Sequence, residues 1–246
     1  MHRFYIPPAK WNLDRLELDE AETHHALHVL RLKQGDRAAV FNGRGAEATV
    51  EITGATKSTL ELRRLHHSRT PPLPCEIILG QAVPKGKNME LIIQKATELG
   101  ASSVAPLLSD RTVIQYEPDE AAKKQEKWHT VVVEAAKQCG QNWIPSVERP
   151  VTMKQFFDAR PKFDLMLIAS LQSDAKHLKN VLSDFGEKHP ARTLILVGPE
   201  GDFTPAEISL AKSHGCQPIT LGPIVLRTET AAIYCLSVLS YELLSR

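Results

Sequence analysis

The stretch Thr70-Pro71-Pro72-Leu73-Pro74 places three prolines within five residues. Proline offers no N–H to a strand ladder, and its ring blocks a helix interior, so neither element runs through this point. The stretch reads as a stiff, extended linker. It splits the 246 residues into expected domains at 1–72 and 73–246.

The two parts are patterned differently. Before the prolines, Arg37 to Phe41 runs into the turn signal Asn42-Gly43-Arg44-Gly45. The alternating Glu47 to Ile52 follows, then a turn at Gly54 and Leu60 to Leu65. One helix fits ahead of these strands, from Asp19 or Glu20 to about Leu30. A small barrel with one helix is the expectation. After the prolines, strands and helices alternate. Strands are expected at 76–80, 103–107, 163–169, 193–197 and 218–221. Asn88 and Pro118 are placed to open helices that Gly100 and Gly140 stop. A further helix is expected from Asp174 to Phe185. Thr204-Pro205-Ala206-Glu207 spells a capping box for another, and a last helix covers 229–244. Short crossovers between apolar strands predict a mostly parallel sheet covered on both faces, an α/β fold.

Composition narrows the function classes. A 42% hydrophobic content fills a core, and no run of about 18 apolar residues calls for a membrane span. Met1 to Pro8 lacks the apolar core of a signal peptide, so a cytoplasmic protein is expected. Cys75, Cys139, Cys216 and Cys235 show no Cys-x-x-Cys spacing and read as buried, inert thiols. His24 and His28 share a helix face, but no further ligand completes a metal site, so none is expected. A net charge of +1 argues against a general nucleic-acid coat, while a local patch still serves a structured RNA.

Two segments near the C-terminus carry chemistry. Leu194 to Phe203 contains Gly198-Pro199-Glu200-Gly201, and Leu221 to Thr230 contains Leu221-Gly222-Pro223 and Arg227-Thr228-Glu229-Thr230. Each is a strand exit at the edge of a parallel sheet, where small cofactors bind. Neither matches Gly-x-Gly-x-x-Gly or Gly-Lys-Ser/Thr, which excludes the usual dinucleotide and triphosphate loops. Glycines let bare backbone approach a ligand. Arg227 just before a helix points to an anionic partner or a surface ion pair.

Read together, these segments closely resemble the bacterial 16S, small-subunit, ribosomal RNA uridine N3-methyltransferases of the SPOUT class. Lys95 to Gly100 with Pro106, Glu134 to Gly140 with Ile144-Pro145, and His25 to Arg31 with Gly35-Asp36 and Phe41-Asn42-Gly43 extend the likeness over nearly the whole chain. The resemblance implies a PUA-like RNA-binding β-barrel followed by a SPOUT α/β domain with a deep trefoil knot, which periodicity alone does not suggest. It implies a homodimer and S-adenosylmethionine as cofactor, held by Leu171, Gly198, Leu221, Gly222 and Leu226. The substrate would be 16S rRNA in the small ribosomal subunit, with no membrane and no metal involved.

In such a site Arg227 would stabilise charge developing on the uracil oxygens, and Glu229 would take the N3 proton or cap the helix. Arg3, Arg31 and Arg44 are candidate phosphate contacts. Asp202 stands where the family often has a second glycine, and Gln141 and Ile224 stand where arginines are common. Those departures leave room for a methyltransferase of another rRNA or tRNA base, or for a noncatalytic RNA-binding module.

Overall fold

The computed structural model describes residues 1–56, 60–112, 116–159, 162–184 and 190–244. The chain forms two compact units, Met1–Pro72 with Val133–Ile144, and Leu73–Val132 with Pro145–Arg246.

The first unit is a four-stranded sheet in the order β1 (His2–Tyr5), β2 (Arg37–Phe41), β3 (Ala46–Ala55), β4 (Leu60–Arg69). β1 runs parallel to β2, and the remaining pairs are antiparallel hairpins. The β2–β3 turn is built as its residues suggest. Gly43 and Gly45 adopt φ of +70° and +86°, and the Asn42 carboxamide accepts from Arg44 and Ala46 N–H. Helix α1 (Glu20–His24) is capped by Asp19, whose carboxylate accepts Glu22 N–H at 2.8 Å. The helical path continues through a π turn, His25–Val29, and ends at Arg31 in a left-handed conformation with φ +56°. Phe4, Ile6, Ala26, Val40, Val50 and Ile52 form the core here.

A buried ion pair tightens this unit. Lys137 Nζ lies 2.5 Å from a Glu22 oxygen and 2.8 Å from Glu134. Burial pushes the Glu22 carboxyl above its ordinary range, against the opposing pull of Lys137. Burial depresses the Lys137 ammonium, but its two carboxylate partners outweigh that and raise it overall.

The second unit holds an eight-stranded sheet in which every pairing is parallel. Its strands are β5 (Glu76–Ala82), β6 (Ser103–Leu108), β7 (Ser146–Val147), β8 (Val151–Thr152), β9 (Leu165–Ala169), β10 (Lys176–His177), β11 (Arg192–Val197) and β12 (Gln217–Thr220). The order is β10-β12-β9-β11-β5-β6-β7, with β8 also on β6. β11 therefore enters between β9 and β5, two strands that precede it in the chain. That order fits the SPOUT fold. Gly80 in β5 faces Leu196 in β11, and a Cβ on Gly80 would lie 2.4 Å from a Leu196 methyl carbon. Glycine leaves the room that leucine fills.

The helices are α2 (Asn88–Glu98), α3 (Pro118–Cys139), α4 (Met153–Asp158), α5 (Leu178–Asp184), α6 (Pro205–Ser213) and α7 (Thr228–Leu244). Several boundaries differ from expectation. Asn88 does not cap α2. The chain turns at Gly86, φ +71°, so Lys87 holds the cap position without a side-chain bond and Asn88 is already helical. α5 begins at Leu178 rather than Asp174, because Lys176–His177 pair with β12 first. Its expected end at Phe185 lies outside the described residues. Cys139, expected to be buried, is exposed on the last turn of α3, while Cys75, Cys216 and Cys235 are buried. The Thr204–Glu207 capping box is present with Pro205 at the first turn.

Candidate active site

Four backbone segments meet at the C-terminal edge of the parallel sheet, where such sheets bind ligands. They are the exits of β9, β11 and β12 and the start of α7. One cleft there is lined by Leu171, Gly198, Leu221, Gly222 and Leu226, the five positions expected to hold a cofactor. Sequence reasoning placed them on separate loops. The order of the strands brings them together.

The two glycines serve in different ways. Gly198 is packed close: an added Cβ would lie 3.1 Å from Phe203 N and 3.3 Å from the Phe203 ring. Gly222 has open space around it but takes φ +126°, which side chains resist. Both leave backbone bare at the wall. Apolar cover comes from Ile219, Val225 and Ala231, and Glu200 and Asp202 add carboxylates. An adenosyl group carried on a cationic sulfonium fits these walls: bare amide edges and apolar faces for the base, anionic groups for the charge.

Polar residues missed by the sequence reading hold the walls. The Thr228 hydroxyl donates to the Gly198 carbonyl at 2.7 Å and accepts from Gln81 Nε2 at 3.0 Å. Gln81 is fully buried, and its Oε1 has no partner among the described residues. A lone amide at the end of the apolar run Ile77-Ile78-Leu79 was the available signal. The Asp202 carboxylate accepts Leu171 N–H at 3.0 Å, joining the β9 and β11 exits. Glu200 accepts Lys85 N–H at 3.1 Å. From the end of β6, Arg111 donates to the Gly201 carbonyl, and Ser109 Oγ donates to Glu207 at 3.0 Å.

Arg227 and Glu229 are not part of the cleft wall. Arg227 is exposed between the lining residues Leu226 and Thr228, and Glu229 is half-buried in the first turn of α7. Neither side chain has an ion pair or hydrogen bond among the described residues.

Of the three arginines expected on RNA, Arg3 is largely taken up by the fold. Its guanidinium lies 2.5 Å from Glu47, 2.6 Å from Asn142 Oδ1, and over the Phe41 ring. Arg31 and Arg44 are exposed. His24 and His28 stack with ring centroids 4.6 Å apart, and no group of three or more potential metal ligands occurs among the described residues.

A parallel sheet with this strand order and a cleft at its carboxyl edge fit a SPOUT-type methyltransferase. The chain belongs to the RNA methyltransferase family: the family's RNA methyltransferase domain matches residues 71–240, and its RNA methyltransferase PUA domain matches residues 18–63. Among relatives, the chain is similar to the ribosomal RNA small subunit methyltransferase E of Bacillus subtilis, 32% identical over 98% of this chain and 97% of that one. Its counterpart in Synechocystis is 34% identical over 96% of this chain and 76% of the relative. A Legionella pneumophila methyltransferase solved with the cofactor SAM bound superposes at TM-score 0.87, with 35% identity over 97% of this chain and 96% of that one. The Neisseria gonorrhoeae ribosomal RNA small subunit methyltransferase E, bound to S-adenosyl methionine, superposes at 0.86 with 30% identity over 98% and 97%.

Proposed function

We propose that this protein transfers a methyl group from S-adenosylmethionine to N3 of a uridine in 16S rRNA of the small ribosomal subunit. The observation that carries the reading is the convergence of Leu171, Gly198, Leu221, Gly222 and Leu226 on one cleft, with an exposed Arg227 at its edge. The names of the relatives support the substrate, and the SAM-bound neighbours support the cofactor.

When bound, the cofactor supplies a methyl group already activated by its sulfonium. The chain's residues then have two tasks. The first is alignment, which belongs to the cleft wall and to the Thr228 bond that fixes its loops. The second is charge. Uracil N3 is a poor nucleophile until its imide proton leaves, and the resulting anion spreads onto the flanking oxygens. Arg227 is always protonated and offers several donors to those oxygens. Glu229, two residues on, is the carboxylate to accept the proton directly or through water.

Residues 1–72 form the RNA-binding domain in this reading, with Arg31 and Arg44 as phosphate contacts, and 73–246 the methyltransferase domain. The enzyme works as a cytoplasmic homodimer. No helix among the described residues is long and apolar enough to cross a membrane. An apolar groove along α7, lined by Ile233, Tyr234, Val238 and the 73% exposed Tyr241, supports the dimer.

The test is to incubate the protein with unmodified small subunits and labelled S-adenosylmethionine and to map the modified nucleoside. Label on uridine N3 is expected. Label on another base, or cofactor binding without transfer, would replace the reading.

A further inference from the structure

Asp202 takes a backbone conformation, φ +65°, that glycine adopts freely and other residues resist. The side chain has a use there. One carboxylate oxygen accepts Phe203 N–H at 2.8 Å within its own loop. The other reaches across to the exit of β9 and accepts Leu171 N–H at 3.0 Å. Both Leu171 and Asp202 line the cleft. The Leu171 side chain is 66% exposed, so packing does little to fix it. Its loop is held at that point by a bond from a different strand exit. The Asp202 loop is itself braced: Arg111 donates to the carbonyls of Gly201 and Asp202, and Asp202 N–H bonds back to the Pro199 carbonyl at 3.0 Å.

We infer that Asp202 is a positioning residue for the cofactor, a latch that closes the Leu171 loop on the cleft. The inference rests on the cofactor lying in this cleft. The carboxylate acts through Leu171 and takes no part in proton transfer, so its loss weakens binding and leaves the chemical step alone. A hydrogen bond to a charged acceptor at a half-exposed site predicts about a tenfold loss of affinity.

The backbone conformation makes the test clean. Asp202→Gly removes the latch while suiting φ +65°, and Asp202→Asn keeps an acceptor oxygen in a residue that tolerates that conformation. Calorimetry with S-adenosylhomocysteine, which cannot react, gives the binding constant. Methyl transfer gives KM for S-adenosylmethionine and kcat, and hydrogen exchange reads the Leu171 amide. Asp202→Gly is expected to weaken S-adenosylhomocysteine about tenfold, raise KM by a similar factor, leave kcat within about twofold, and speed exchange at Leu171. Asp202→Asn is expected to recover most of that loss. Unchanged binding in Asp202→Gly, or an Asn variant as weak as the Gly variant, would overturn the latch. If S-adenosylhomocysteine fails to protect the 198–203 and 221–226 amides of the unaltered protein, the cofactor placement itself falls, and the latch with it.

Discussion

The Thr228 hydroxyl donates to the Gly198 carbonyl across 2.7 Å, tying the first residue of α7 to the glycine at the exit of β11. The same oxygen receives the Gln81 amide from β5, so one hydroxyl registers three segments around the cleft. Thr228→Val keeps the shape and removes the hydroxyl, leaving a buried carbonyl without its donor. A cost of about 1–3 kcal/mol is expected. It should be seen as a lower melting temperature and an S-adenosylhomocysteine affinity reduced by at least about tenfold. Thr228→Ser should restore both.

Arg227 adjoins that threonine but is exposed, without a partner among the described residues. Arg227→Ala is therefore expected to leave melting temperature and cofactor affinity unchanged while lowering kcat by about a hundredfold or more. Arg227→Lys should recover little, because a point charge replaces a planar fork of donors. Wild-type turnover in Arg227→Ala would remove the residue from the mechanism.

Gly80→Ala should destabilise the second unit by about 1–3 kcal/mol, since its Cβ meets the Leu196 side chain in the core. The cause is testable by coupling. In a Leu196→Ala background the same substitution should cost less, and equal costs in both backgrounds would point to some other strain.

The thiols predict a chemical and a pH signature. Burial pushes Cys216 and Cys235 up to about 12 from an ordinary 9.0, and raises Cys75 as well. Cys139 is exposed. An aromatic disulfide reagent at pH 8 should therefore label one thiol in the native protein and all four after denaturation. These thiols ionise more readily in the unfolded chain than in the folded one. Their contribution to stability is whole below pH 9 and is lost as pH rises toward 12. Denaturant midpoints measured across that range should fall, and substitution of Cys235 by Ala should flatten the fall.

The α7 groove gives a prediction about assembly. Tyr241→Glu places a charge on its exposed apolar rim. Light scattering should then report the mass of one chain, 27.4 kDa, where twice that is expected of the unaltered protein. A dimer that survives the change would place the interface elsewhere.

What the sequence discloses follows the range of the physics. The Thr204–Glu207 box and the stops at Gly100 and Gly140 were readable because each is settled within a few residues by side-chain caps and left-handed turns. The five positions proposed for the cofactor came only through likeness to a family, since nothing local in Leu171 or Leu226 speaks of a ligand. Gln81 and Thr228 lie 147 positions apart, and no periodicity connects them. The two-residue strands β7 and β8 are shorter than any alternation that could announce them. Arg3 looked like a phosphate contact because its charge is visible in the sequence, whereas Glu47 and Asn142, which hold it, become neighbours only in the fold.

The placement of β11 sets a timetable for synthesis. Glu76 pairs with Arg192, so β5 waits for a neighbour made 116 positions later, and β9 waits on its other side for the same strand. At ~5–20 residues per second, the centre of the sheet stays open for roughly ten seconds on the ribosome. Its apolar edges, Ile77 to Leu79 and Leu165 to Ile168, are uncovered during that interval. A nascent chain stalled before residue 192 should therefore be a client for chaperones, while one released beyond Thr220 can close its sheet unaided.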